Sequence, residues 1–278
     1  MVPEPEDRER AALVSEPIPP RPDAMHPTAG TVVAGGPPTG LGARPTATWS
    51  WWEGTAVYVI SFIVGGLATV PILSLLRGDD DLATIASTTA AAIAIIAILV
   101  GWLSNAHRSW RNILGFPPRG GWGREVLTSI GFGLLLYPAM VFVVGIVVAL
   151  ILQVVSGETA QAPEQVAPDQ SAVGIAITAL YALVVAPLHE ELFFRGILFR
   201  AVRDRYGLVR GLLATGFGFA LIHYLDAPWQ DALLLMGVMF FNGIALAWWY
   251  ERRGTIVAPV VAHVVFNVIG LSLILAFG

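Results

Sequence analysis

Apolar residues occur along this chain in long, almost unbroken runs. The runs lie at positions 54–76, 82–104, 126–155, 171–188, 207–224, 230–250 and 255–277. A hydrocarbon core about 30 Å thick is crossed by about 20 apolar residues in α-helix. The pattern therefore predicts an all-α fold, a polytopic membrane helix bundle of seven transmembrane helices. A charged helical stretch at 189–206 follows the fourth run directly, and it makes an eighth helix if it re-enters the membrane.

The basic residues fall on alternate sides of these predicted spans. All 16 are arginine, and all except Arg77 lie in the N-terminal segment or after the second, fourth and sixth runs. The other connections are acidic, with Asp79, Glu158 and Asp226 among their residues. The positive-inside rule then predicts a cytoplasmic N-terminus. Exclusive use of arginine is typical of a GC-rich genome, which favours a bacterial cell membrane.

Composition narrows the classes of protein further. The chain is 55% hydrophobic and only 13% charged, whereas soluble domains carry about 25% charge. It contains no cysteine, which excludes disulfide frameworks, thiolate zinc sites and cysteine nucleophiles. A net charge of −4 gives no sign of a nucleic-acid partner.

The sequence divides into three parts. Residues 1–48 hold ten of the 19 prolines and lack the apolar stretch of a signal peptide, so we expect a disordered, Pro-rich cytoplasmic tail. Residues 49–155 contain the first transmembrane helices and carry no signature motif, while 156–278 form the expected catalytic core. Tryptophans near the span ends, such as Trp49 and Trp229, are typical of an interfacial belt.

Two adjacent glutamates close the fourth apolar run. An ionisable side chain inside a span is costly and is a functional candidate by default. Glu191 and Arg195 are four residues apart on a helix and can form an ion pair. That pairing leaves Glu190 free, and a carboxylate beside apolar walls suits a general base. The alternative is an ion pair at the end of a helix in the membrane interface.

Polar side chains also occur in the fifth and last runs. His223 ends the fifth run, and His263 and Asn267 share one face of the last because they are four residues apart. The alternatives are an interfacial anchor for His223 and helix–helix hydrogen bonding for the other two. Together with Glu190, these groups would form a water-activating base with oxyanion donors, which is the arrangement needed for amide hydrolysis.

Several catalytic motifs are absent from the sequence. Phe193 occupies the position where an H-E-x-x-H zinc motif starting at His189 would need its second histidine. The chain also lacks G-x-S-x-G and the phosphate-binding loop G-x-x-x-x-G-K-[ST]. These absences disfavour a zinc site of that type, a serine nucleophile and ATP-driven transport. His189 itself is assigned no role.

Three short motifs in order resemble the CPBP family, which comprises CAAX prenyl endopeptidases, bacteriocin-processing or self-immunity proteins and their bacterial relatives, also called Abi. The motifs are E-E-x-x-x-R at Glu190, Glu191 and Arg195, F-x-x-x-H at Phe219 and His223, and H-x-x-x-N at His263 and Asn267. The resemblance covers about residues 171–270. It implies that Glu191 and Arg195 are structural or orient the substrate.

The resemblance implies an intramembrane endopeptidase with a role for each remaining motif residue. Glu190 would activate the water, and His223 would orient it or share its proton. His263 and Asn267 would stabilise the tetrahedral oxyanion, an effect worth a few kcal/mol per donor.

The resemblance leaves a metal cofactor open. Glu190, His223 and His263 match the ligand types of a catalytic zinc ion. A mechanism without a metal explains Asn267 better, because a neutral amide is a poor zinc ligand and a good oxyanion donor. We therefore favour no required cofactor and keep zinc as the alternative.

Substrate and topology complete the expectations. The partners are the lipid bilayer and a membrane-associated protein or peptide, either prenylated or carrying a leader peptide. The arginines from Arg195 to Arg210 place the active site near the cytoplasmic face. Two non-protease alternatives remain open, a non-catalytic immunity or scaffold protein of the same fold and a proton-coupled transporter. The sequence does not specify an oligomeric state.

Overall fold

A computed structural model describes residues 40–76, 80–161, 171–224 and 227–277. The described residues contain no strand, and their principal helices are α1 Trp51–Leu75, α2 Asp80–Ala106, α3 Trp122–Ser156, α4 Ala172–Tyr206, α5 Leu208–Ile222, α6 Trp229–Arg253 and α7 Val257–Phe277. Six of these helices are long and apolar enough to cross a membrane, and α5 is shorter. The predicted all-α polytopic bundle is confirmed, and the protein is an integral membrane protein.

Helix α4 differs from the expected pair of segments. The fourth apolar run and the charged stretch after it form one continuous helix of 35 residues, about 52 Å long at 1.5 Å per residue. The charged half need not leave the bundle because its charges are paired inside the protein. Arg200 lies 2.9 Å from Asp204, and Arg203 lies 2.5 Å from Glu251 on α6.

Two parts of α4 are wound as π-helix, Tyr181–Val185 and Glu191–Phe199. A π-helical turn is rare and occurs often at functional sites, because it shifts side chains and carbonyl groups out of the regular α-helical register. The second π-helical part begins at one of the two motif glutamates. Pro187 lies between the two parts, where an irregular helix accommodates a residue without an N–H.

The polar residues of α4 lie inside the protein because α4 is packed among the other helices. It contacts α1, α2, α5, α6 and α7, while α1 packs on α2, α3 on α7 and α5 on α6. The largest cluster of buried side chains gathers residues from α1, α2, α4 and α5 around this helix. Its members include Tyr58, Leu99, Leu103, Phe193, Phe194, Ile197 and Phe219.

Small residues allow two of the helix pairs to approach closely. A Cβ atom on Gly54 of α1 would overlap the side chain of Ile197 on α4, and one on Gly243 of α6 would lie 2.9 Å from the Cα of Gly216 on α5. Asn242, the neighbour of Gly243 on α6, is buried. These contacts fix the distance of α1 from α4 and of α6 from α5, and α4 and α5 carry the first two motifs.

The segment before α1 departs from the expected tail. The predicted tail lies outside the described residues up to position 39, but residues 40–48 pack on the bundle. Leu41 is completely buried, and the backbone N–H of Ala47 donates to Asp204 at 2.8 Å. Arg44 donates to the carbonyl of Gly254 at 3.0 Å, and burial together with the nearby Arg119 charge lowers its pKa from the ordinary value.

Trp49 departs from the expected interfacial belt. Its side chain is only 4% exposed, and its indole N–H donates to the carbonyl of Ile197 at 3.1 Å. Trp51, Trp52 and Trp229 are between 43% and 63% exposed, which fits the belt. We call the end of the bundle at which α1 and α7 begin and α4 and α6 end the arginine end. Trp51 and Trp52 lie at this end, and Trp229 lies at the opposite end.

Candidate active site

The two motif glutamates on α4 face the motif histidine of α7. The side chains of Glu190, Glu191 and His263 are all buried, with at most 6% of each residue exposed. His263 Nδ1 lies 2.7 Å from Glu191 Oε1, and its Nε2 lies 3.9 Å from Glu190 Oε2. The imidazole therefore stands between two carboxylates on neighbouring positions of one helix.

Glu191 has two partners. Its Oε1 lies 3.0 Å from Arg195 Nη1, as the four-residue spacing predicts, and it also accepts a hydrogen bond from His263. When Nδ1 donates to this carboxylate, the ring orientation is fixed and Nε2 is directed to the Glu190 side. Such carboxylate–histidine pairs orient an imidazole for chemistry. Glu191 thus connects the first motif to the histidine of the third.

Arg195 is a fully buried cation that the protein surrounds with compensating groups. Besides Glu191, its Nη2 donates to the carbonyl of Gly243 at 3.3 Å, and its guanidinium lies 4.4 Å from the centre of the Phe219 ring. Cation–π contact and ion pairing together offset the cost of burying the charge. Phe219, the first residue of the second motif, therefore helps to stabilise the charge of Arg195, the last residue of the first motif.

Glu190 is the carboxylate without a close partner. Its Oε1 lies 4.0 Å from His189 Nε2, and its Oε2 lies 3.9 Å from His263 Nε2. Among the described residues, Oε2 has no hydrogen-bond partner although it is buried. Buried polar groups normally have partners, and a gap above 3.5 Å between two polar atoms is one that a water can bridge. This carboxylate is therefore available to a guest molecule.

His223 lies at the C-terminal end of α5 and is half-buried. Its Nδ1 is 2.7 Å from the backbone carbonyl of Phe219, and its ring lies 4.6 Å from the Phe219 ring. The Phe219 ring also lies 5.9 Å from the His263 ring, so it stands beside both motif histidines. Helices α4 and α5 form a hairpin that brings His223 to the level of Glu190. Glu190 lies 16 residues before Tyr206 at the end of α4, and His223 lies 15 residues after Leu208 at the start of α5.

Asn267 lies one helical turn beyond His263 and has a different partner. Its Nδ2 donates to the carbonyl of Ala182 at 2.7 Å. Ala182 belongs to the first π-helical part of α4, where the altered register frees carbonyl oxygens. The expected shared face is present, but His263 and Asn267 bond to different acceptors. One N–H of the amide remains for another acceptor.

The residue types at this site match those of a zinc site, but their arrangement does not. In the parts of the chain that the structure describes, no three His, Asp or Glu side chains are arranged to hold one metal ion. One nitrogen of His263 is bonded to Glu191, and one nitrogen of His223 to a backbone carbonyl.

The structure adds three residues that the motifs do not contain. His189 is buried beside Glu190, and its Nδ1 has no partner among the described residues. Tyr58 of α1 stacks on Phe193 in the second π-helical part of α4, and Tyr181 belongs to the first. The sequence indicates a position near Glu190 for His189, its direct neighbour, whereas Tyr181 lies nine residues earlier and on the opposite face of a regular helix. The sequence also gives no such indication for Tyr58, which belongs to the first helix.

The fold and the site together define a class of protein, a polytopic membrane protein with a buried glutamate–histidine site. Residues 172–269 match the family described as type II CAAX prenyl endopeptidase Rce1-like. This match confirms the predicted resemblance to the CPBP family of intramembrane proteases over that segment.

A curated relative and the solved structures complete the comparison. The chain is 31% identical over 105 residues to an uncharacterized 24.3 kDa protein of Escherichia coli. The aligned part covers 37% of this chain and 46% of that protein, so the chain spans less than half of the length of this relative. No solved structure matches the chain.

Proposed function

We propose that this protein is an intramembrane endopeptidase that hydrolyses a peptide bond with Glu190 as the general base. The observation that carries the proposal is the buried carboxylate of Glu190, which has a free oxygen and an imidazole at 3.9 to 4.0 Å on each side. A base in this position removes a proton from a water molecule held in the gap. The family match over 172–269 supports the same class of reaction.

The charges of the site favour a donor role for His263. Glu190 and Glu191 carry two negative charges, and Arg195 carries one positive charge. A proton on His263 makes this buried set neutral, which avoids the cost of an uncompensated charge in an apolar environment. His263 then donates through Nδ1 to Glu191 and through Nε2 to the side where Glu190 lies.

The reaction follows from these positions. Water loses a proton to Glu190 while its oxygen forms a bond to the carbonyl carbon of the substrate. His263 and the free N–H of Asn267 donate to the developing oxyanion, each worth about 3 kcal/mol in comparable sites. The C–N bond then breaks, and Glu190 gives its proton to the leaving nitrogen. His223, at the edge of the site, orients the water.

The substrate that we propose is a membrane-associated protein or peptide, because the site lies between helices that cross the membrane. His263 is six residues beyond the start of α7, about 9 Å along the helix axis. The site is therefore closer to the arginine end, which the positive-inside rule assigns to the cytoplasm. A lipidated C-terminus or a leader peptide reaches this depth from that side.

The decisive experiment compares the purified wild type with Glu190→Gln in detergent, against a peptide library and with metal analysis. We expect cleavage by the wild type and none by the variant. The matched control is Glu158→Gln, at the other end of the bundle, where Glu158 is exposed and its carboxylate accepts from Gln230. Cleavage that survives Glu190→Gln contradicts the mechanism, and stoichiometric zinc would replace it with a metal-dependent one.

A further inference from the structure

Tyr58 of α1 is a polar residue buried against the helix that carries the glutamates. It is 4% exposed, and its ring stacks on Phe193 with a centroid distance of 3.5 Å and an interplanar angle of 8°. Its hydroxyl oxygen is buried without a hydrogen-bond partner among the described residues. Buried tyrosine hydroxyls usually have a partner, because leaving one unpaired costs free energy.

The register between α1 and α4 is fixed by two contacts, each one helical turn from the other. Gly54 meets Ile197, and four residues further along α1 Tyr58 meets Phe193, four residues earlier on α4. This is the pattern of two antiparallel helices in direct contact. Since Phe193 is three residues from Glu190, the stack lies on the same part of α4 as the general base.

The unpaired polar atoms in this region form a group. Besides the Tyr58 hydroxyl, they include Glu190 Oε2 and His189 Nδ1. Phe193, on which Tyr58 stacks, is three residues from Glu190 and four from His189 on α4. Tyr58 is otherwise surrounded by aromatic rings, those of Phe62, Phe193 and Phe194. The surrounding rings offer this hydroxyl no acceptor. It can therefore donate its hydrogen bond only to a guest molecule bound near this part of α4.

We infer that Tyr58 is a catalytic residue whose hydroxyl donates a hydrogen bond to the carbonyl oxygen of the scissile peptide. The inference rests on the proposed endopeptidase function and adds one donor to that site. A further donor to the oxyanion is useful at this site, because one N–H of Asn267 is already bonded to the carbonyl of Ala182. It also gives α1, which carries none of the three motifs, a direct part in the reaction.

The test is Tyr58→Phe, which keeps the ring stacked on Phe193 and removes only the hydroxyl. We expect kcat for peptide cleavage to fall about 100-fold, the usual loss for one oxyanion donor, with KM and the unfolding temperature unchanged. The matched control is Tyr137→Phe on α3, where the ring contacts Phe266. Helix α3 carries none of the three motifs, and this control should keep the wild-type kcat.

Each other outcome overturns the inference. A kcat equal to that of wild type in a folded Tyr58→Phe protein shows that the hydroxyl is not a donor to the oxyanion. A raised KM with unchanged kcat assigns it to ground-state binding instead. Tyr58→Leu separates packing from chemistry, because the lost stacking lowers the unfolding temperature, whereas Tyr58→Phe leaves it unchanged. A wild type that cleaves no peptide contradicts the proposed function and the inference with it. A wild type that cleaves, with Glu190→Gln inactive and Tyr58→Phe fully active, contradicts the inference alone.

Discussion

Neighbouring glutamates in this protein have opposite surroundings. Glu191 is completely buried and lies within 3.0 Å of both Arg195 and His263, whereas Glu190 has no polar atom of another side chain closer than 3.9 Å among its described contacts. A one-residue step on a helix turns a side chain by about 100°. The rotation separates a carboxylate that organises the site from one that is free to react.

The two glutamates should therefore respond differently to the same isosteric change. Glu191→Gln leaves Arg195 as a buried cation without a counterion, which costs about 3 kcal/mol and roughly 6 °C in unfolding temperature. Glu190→Gln removes a charge that lacks a close partner, and the unfolding temperature should stay the same or rise. Thermal unfolding in detergent measures both, and equal shifts for the two variants would contradict this division of roles.

At the scale of helices, the approach of α1 to α4 depends on Gly54. A Cβ atom there would overlap Ile197, and overpacking of this kind costs about 1–3 kcal/mol. We expect Gly54→Ala to lower the unfolding temperature and also to reduce cleavage, because it displaces Tyr58 from Phe193. Gly66→Ala on the same helix is the control, since a Cβ atom at Gly66 meets nothing within 4 Å.

A second substitution tests whether the steric overlap with Ile197 causes the lower stability expected of Gly54→Ala. Ile197→Ala removes the methyl group that a Cβ on Gly54 would meet, at the cost of a cavity. In combination with Gly54→Ala the two changes should compensate, so that the double variant is more stable than the sum of the single effects predicts. Additive effects would show that Gly54 matters for another reason.

Long apolar runs made the helices predictable, and internal charge pairing made part of α4 unpredictable. The runs exceed the length needed for a span, so their existence did not depend on tertiary contacts. The apolar pattern predicts the charged stretch at 189–206 only as a helical segment that follows the fourth run, and it leaves open whether this segment re-enters the membrane. The structure buries Arg200 beside Asp204 and the carbonyl of Pro45, and no local pattern reveals a partner 155 residues away.

Contacts between residues far apart in sequence also limit how much of the site can be predicted. The pairing of Glu191 with Arg195 follows from helical spacing, but the hydrogen bond from His263 to Glu191 joins residues 72 positions apart. Only the packing of α7 on α4 brings them together. Trp49 was assigned to the interface from its place before a span, and it is buried because its indole finds an acceptor at Ile197.

At the scale of the whole molecule, the orientation can be tested directly because the chain contains no cysteine. Ser109→Cys places one thiol at the arginine end, where Ser109 is exposed and its side chain makes no capping bond. Glu158→Cys places one at the opposite end. We expect a membrane-impermeant maleimide to label position 158 in intact cells and position 109 only after the membrane is opened. The reverse pattern would invert the proposed topology.

The short helix α5 has a consequence for the lipid around the protein. Its 15 residues span about 22 Å, less than the roughly 30 Å of a typical hydrocarbon core. A bilayer adapts to such a mismatch by thinning locally, and His223 lies where α5 ends. The leaflet opposite the arginine end would then thin beside His223, and cleavage should slow in bilayers of longer acyl chains.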